Sequence, residues 1–134
     1  PTVLFITYGN IAAQALAAAK QLQMQGTAVG VILCEQLSPI HVVAEHLRKY
    51  ISKSVTLIAY VEEGIFQGGF SMAMSTQLHQ LSYQVFPQER FFAVFSPFVS
   101  PKKGETIWQC HGLEASQIVE GIENAMLAEK QENI

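Results

Sequence analysis

Residues Ser54 to Met74 read SVTLIAYVEEGIFQGGFSMAM, and this stretch decides the fold. Val55 to Val61 is an apolar run with β-branched and aromatic residues, the signature of a strand buried on both faces. The run is expected to stop at Glu62-Glu63, because two adjacent carboxylates are costly to bury together. Gly64, Gly68 and Gly69 then form a loop able to adopt backbone angles that other residues avoid. Beyond it, Met72, Leu78 and Leu81 predict a helix from Ser71 to Leu81 that packs back on the sheet. Strand, acidic Gly-rich loop and helix together form an edge at which open α/β sheets meet ligands or partners. The plainer reading, that the glycines let a tight connection close, is favoured by pattern alone.

The same unit recurs on either side. Val3 to Tyr8 reads as a buried strand, with Gly9-Asn10 ending it and Asn10 placed to cap the next helix. Ile11 to Met24 is Ala-rich at helical spacing, and Gly26 is suited to stop the helix. Ala28 to Cys34 is a second apolar strand. Pro39 can open a helix over His41 to Ile51. Gln84 to Pro87 is a connection or weak strand, and Arg90 to Ser96 is the fourth main strand. Ser96-Pro97 and Ser100-Pro101 mark a loop. Glu105 to Cys110 and Ser116 to Glu129 are helical, and the tail from Lys130 is polar and frayed.

Strand–helix alternation predicts a three-layer αβα domain with a mainly parallel sheet of four to five strands, ordered 2-1-3-4. The switch point then falls between the first and third strands, where Tyr8-Gly9-Asn10 would face Glu62-Glu63-Gly64.

Composition narrows the function. The 134 residues suffice for one domain, and 49% are hydrophobic, which argues against disorder. Net charge is −3 and the eight Lys and Arg are dispersed, so no nucleic-acid footprint is seen. No apolar run approaches twenty residues, so no membrane span is expected and the location is taken as cytoplasmic. Cys34 and Cys110 lie far apart and read as free thiols. The chain has no Asp, which removes many metal and phosphoryl-transfer arrangements. Because Pro1-Thr2 leads straight into a core strand, residues 1–134 are expected to be one domain of a longer chain or a split subunit.

Individual motifs remain weak. The turn Gly9-Asn10-Ile11-Ala12-Ala13-Gln14 has one glycine, not the three of a dinucleotide fingerprint. Gly68-Gly69 opens a helix that could hold an anion, but no Lys stands beside it. His41, His46, His79 and His111 lack metal-ligand spacing; His41 and Glu45 share a helix face without a third ligand. His79 reads as solvated and Cys34 as a packing residue. Ser71 and Ser75 lack a nucleophile elbow. Glu62 and Glu63 alternate, so at most one enters the cleft, and a single acid is not a mechanism.

Five short motifs, in order, carry a resemblance. Val3-Leu4-Phe5-Ile6-Thr7-Tyr8-Gly9-Asn10 resembles the first strand and turn of the C-terminal domain of transketolase-family enzymes. Leu37-Ser38-Pro39-Ile40-His41 resembles their L-x-P-L-D element, with His41 in place of Asp. Val61-Glu62-Glu63-Gly64 with Gly68-Gly69-Phe70 is similar to V-E-E-G…G-G-x-G, with Ser71 where the last glycine often falls. Arg90-Phe91-Phe92 and the run His111-Gly112-Leu113 to Ile118 resemble segments of 1-deoxy-D-xylulose-5-phosphate synthase, with Glu114 in place of the usual capping residue. The tail is nearer to the synthase and transketolase than to the β subunits of 2-oxoacid dehydrogenases.

The resemblance implies a homodimeric parent enzyme that uses thiamine diphosphate and magnesium to join a two-carbon unit to an aldehyde. It implies that the cofactor is held on other domains and that no catalytic residue or metal ligand lies on this chain. Glu62, Glu63, Gly64, Gly68, Gly69 and Phe70 are then expected at a domain or subunit interface, and the isolated piece is expected to self-associate. The competing expectation is a stand-alone anion- or nucleotide-binding module using Gly9-Asn10 or Gly68-Gly69. A complete small enzyme has least support, because no nucleophile–base set is visible.

Overall fold

The computed structural model describes residues 1–82, 85–96 and 98–132. In chain order the elements are β1 (Val3–Thr7), α1 (Ala12–Met24), β2 (Val29–Leu33), α2 (Ile40–Arg48) and β3 (Leu57–Ile65). They continue with α3 (Phe70–Leu81), β4 (Gln88–Val94), α4 (Ile107–Cys110) and α5 (Ala115–Glu132). The four strands form one parallel sheet ordered β2-β1-β3-β4, as the alternation predicts. Val3 lies opposite Val29 on one side and Leu57 on the other, so β1 is one of the two inner strands, β3 being the other. Among the described residues no helix is long and apolar enough to cross a membrane.

The period of two in the strands builds two cores. Val3, Phe5, Leu57, Ala59 and Val61 face α1 and α5, while Leu4, Ile6, Ile58 and Tyr60 face α2 and α3. Ala15, Ala18 and Ala19 are buried, and their small size lets α1 lie close to the sheet. α1 ends as the sequence suggests. Gly26 has φ +93°, its N–H donates to Gln23 O, and the Thr27 N–H donates to Leu22 O, a Schellman closure.

Several boundaries differ from the sequence reading. β3 does not stop at Glu62-Glu63 but runs on to Ile65, with a register shift against β4 between Val61 and Ile65. Asn10 does not cap α1: the cap position is Ile11, without a side-chain bond, because the first turn closes through Ala12 N–H on Gly9 O. α2 is shorter than expected and stops at Arg48. On α3 Leu78 and Leu81 pack inward as expected, but the buried methionine is Met74, whereas Met72 is exposed. β4 starts at Gln88 and ends at Val94. α5 continues through Lys130 to Glu132, so the tail is helical rather than frayed there. Of the expected connection from Gln84 to Pro87, residues 85–87 carry no strand and Gln84 lies outside the described residues, as does Pro97 of the Ser96-Pro97 loop.

α5 packs against β4 at Gly121. A Cβ there would stand 2.6 and 2.8 Å from Cε1 and Cζ of Phe92, on β4. Gly121→Leu should therefore destabilise the fold by about 2 kcal/mol or more, despite leucine's better helix propensity. Urea denaturation checks this; unchanged stability would mean that the Phe92 ring turns aside or that α5 lifts from the sheet.

Candidate functional site

The switch point forms where β1 ends beside Val61, while β3 runs on to Ile65. Thr7, fully buried, donates its hydroxyl to Val61 O at 2.9 Å and ties the two strands together. The chain then turns at Gly9, whose φ of +75° suits glycine. On the other strand Glu62 points inward and is 1% exposed, while Glu63 points to solvent, as strand alternation requires.

Glu62 bridges three segments. Its Oε2 accepts the Ser71 N–H, in the first turn of α3, at 2.7 Å. Its Oε1 accepts the Tyr8 hydroxyl at 3.2 Å. The first-turn amides of a helix are unsatisfied donors carrying partial positive charge, and a carboxylate is a fitting acceptor. The anion at the start of α3 is therefore the chain's own side chain. Burial, then the charge of Glu62 and its hydrogen bond, push the Tyr8 phenol up to about 12, so Tyr8 stays a neutral donor. Tyr8 also meets Phe70 edge-on, with ring centroids 5.0 Å apart, which adds an apolar clamp beside the polar one.

Two glycines make room for this carboxylate. A Cβ on Gly64 would sit 2.7 Å from Glu62 Oε1 and 3.3 Å from the Tyr8 hydroxyl. A Cβ on Gly69 would run into the Ile65 carbonyl and stand 3.1 Å from Glu62 Oε1. Gly68, at φ +72°, has open space around it and serves the turn itself. Of the residues singled out in the sequence, the structure thus brings Glu62, Gly64, Gly69 and Phe70 together with Tyr8. Glu63, Gly9, Asn10 and Gly68 lie at the exposed rim. Chemically the arrangement is a lock: the shielded carboxylate is engaged through both oxygens, and Glu63 is the acid that an approaching group would meet.

The expected facing of Tyr8 and Glu62 holds across 54 residues, whereas Ser71, considered only as a nucleophile, was missed as the backbone partner of Glu62 nine residues away. Sequence reasoning also missed a second network. Tyr60, read only as part of an apolar run, donates its hydroxyl to Glu89 Oε2 at 2.7 Å, and Glu89 Oε1 lies 2.7 Å from His79 Nε2. His79 is half-exposed and stacks on Phe86, with centroids 3.9 Å apart, so it is not simply solvated. Burial chiefly, then Glu89, drives the Tyr60 phenol far upward. A local signal was overlooked at α4, where Thr106 and Gln109 form a capping box of recognisable spacing.

Cys34 is partly buried, and burial pushes its thiol up to about 11 from the usual 9. A raised pKa means less thiolate at any pH below it. At pH 8 Cys34 should alkylate about tenfold more slowly than a small-molecule thiol of ordinary pKa, its roughly hundredfold lower thiolate fraction being partly offset by the greater nucleophilicity of a more basic thiolate. Iodoacetamide labelling with peptide mapping checks this.

Residues 1–118 match the family model described as "Transketolase, C-terminal domain". A solved structure titled "Split gene transketolase, inactive beta4 tetramer" superposes with a TM-score of 0.71 at 23% sequence identity, over 93% of this chain and 38% of that one. At that identity the likeness concerns the fold, and the chain spans well under half of that relative's length. No curated protein matches. With the family model spanning the whole sheet and its switch point, the chain belongs to the transketolase C-terminal domain family.

Proposed function

We propose that the chain is the packing domain of a thiamine-diphosphate-dependent, transketolase-type enzyme, nearest in kind to 1-deoxy-D-xylulose-5-phosphate synthase, and that it supplies no reacting group. The observation that carries this is the use made of Glu62, the best acidic candidate in the chain, which is buried and spent on joining β1, β3 and α3. Just beyond it Ile65 ends β3 opposite Val94 of β4, and Ile65 and Phe95 turn large apolar side chains outward. Phe66 packs at 4.9 Å from Phe95, extending this surface from the loop between β3 and α3. Exposed apolar clusters of this kind mark partner surfaces. Glu63, Gly64, Gly68, Gly69 and Phe70 would stand at its border, and the partner would be another domain or subunit of the parent enzyme.

The donor set does not fit the cofactor's metal. The chain has no Asp, and among the described residues no group of three or more His, Cys, Asp or Glu could hold a metal ion. Thiamine diphosphate and magnesium therefore belong, in this reading, to the partner domains, and no step is routed through them here. The split-gene transketolase found among solved structures is a tetramer, which supports assembly with other chains or copies; the parent is taken as a cytoplasmic homodimer. The resemblance of Arg90-Phe91-Phe92 and of Gly112-Leu113 to the synthase supports that assignment within the family.

Calorimetry and sedimentation test the proposal together. The chain alone should bind neither thiamine diphosphate nor magnesium, and should self-associate at high concentration through its apolar surface. Mixed with the cofactor-bearing domains it should restore two-carbon transfer, with 1-deoxy-D-xylulose 5-phosphate as the product. Cofactor binding or turnover by the chain alone would overturn the proposal.

A further inference from the structure

A cleft of about 240 Å³ opens at the opposite end of the sheet from Glu62, where α2 and α3 end and β3 and β4 begin. Its apolar walls include Ile51, Leu78, Leu81 and Phe86, and Arg48 and Lys53 line it as well. Three of the chain's eight basic residues, Arg48, Lys49 and Lys53, fall within this short span of a chain whose net charge is −3. Arg48 is engaged by Glu45 at 3.8 Å, with both side chains about half-exposed, an ion pair of little strength. Lys53 makes no ion pair among the described residues.

One wall is held in place from behind. Phe86 stacks on His79, His79 is bonded to Glu89, and Glu89 accepts the hydroxyl of Tyr60 from the sheet interior. A ring fixed by a partly buried polar network presents a preformed apolar face, the usual character of small-molecule sites. The carbonyl ends of α2 and α3 approach the same cleft and would by themselves disfavour an anion. The two cations offset them.

We infer that this cleft binds a small amphipathic anion, with a single-ring or branched apolar body against Ile51, Leu78 and Phe86 and a phosphate or carboxylate between Arg48 and Lys53. The volume lies below the roughly 300–1,000 Å³ of drug-sized sites, which limits the body to about one ring. The site is distant from the Glu62 lock and independent of which enzyme the parent is.

Titrating the isotope-labelled chain with phenyl phosphate, benzoate, benzyl alcohol and inorganic phosphate, followed by amide NMR shifts, tests the inference. Among the described residues saturable shifts should be confined to 48–55, 78–82 and 85–87, and the tighter of phenyl phosphate and benzoate identifies the headgroup. The exposed double variant Arg48→Gln/Lys53→Gln should weaken both anions at least tenfold and change benzyl alcohol less than twofold. Phe86→Leu should weaken both the anions and benzyl alcohol. Shifts mapping to the Phe95 surface instead, anion affinity indifferent to the double variant, or inorganic phosphate binding as tightly as phenyl phosphate would each overturn it.

Discussion

Glu62→Ala should destabilise the domain by about 3 kcal/mol, a large share of the ~5–15 kcal/mol that holds a typical fold together. The substitution strips the Ser71 N–H of its acceptor at 2.7 Å, and Ser71 is itself 1% exposed, so water does not readily replace the carboxylate. A bond to a charged acceptor contributes ~1.5–3 kcal/mol, and an anion at a helix start adds ~0.3–1 kcal/mol. The Tyr8 hydroxyl at 3.2 Å loses a weaker bond. Glu62→Gln keeps an acceptor for Ser71 and should cost only about 1 kcal/mol. Denaturant titration of the two variants, with Tyr8→Phe to complete a double-mutant cycle, separates the two bonds. A Glu62→Ala variant as stable as the parent would show that the carboxylate is not holding α3 to the sheet.

Gly69→Ala should be comparably harmful, at about 3 kcal/mol, even though alanine is the smallest change available. The cause is not the backbone angle: Gly69 has φ −84°, open to any residue. It is the Ile65 carbonyl, a backbone atom that a Cβ would strike, with Glu62 Oε1 behind it at 3.1 Å. The neighbouring Gly68 supplies the control. Its φ is +72° and nothing lies within 4 Å, so Gly68→Ala should cost only about 1 kcal/mol from backbone strain. If thermal melts ranked Gly68→Ala as the more damaging of the pair, the close packing of the loop against β3 would be wrong.

The architecture was legible because its signals are local and periodic. Val3 to Ile6 and Val55 to Val61 are apolar on both faces, and only a sheet covered on both sides accommodates that. The alternation of such runs with helices then leaves few topologies, and the observed order β2-β1-β3-β4 is the expected one. The end of β3 was illegible for the opposite reason. Glu62-Glu63 looks like a strand terminator until Tyr8 and Ser71 are placed beside it, and neither is nearby in sequence. The inward face of α3 was misread at one position. Leu78 and Leu81 pack inward as expected, but it is Met74, at i, i+4 and i+7 spacing with them, and not Met72 that faces the sheet. His79 was read as solvated because Glu89 and Phe86 reach it through tertiary folding.

β1 sits between β2 and β3, with Val3 paired to Val29 and to Leu57. During synthesis this strand leaves the ribosome ahead of both neighbours, yet its second edge stays vacant until residues 57–61 arrive. At ~5–20 residues per second that wait is roughly three to ten seconds. For that interval the nascent chain displays Val-Leu-Phe-Ile with one unpaired side, a natural target for chaperones and a hazard for clumping on crowded polysomes.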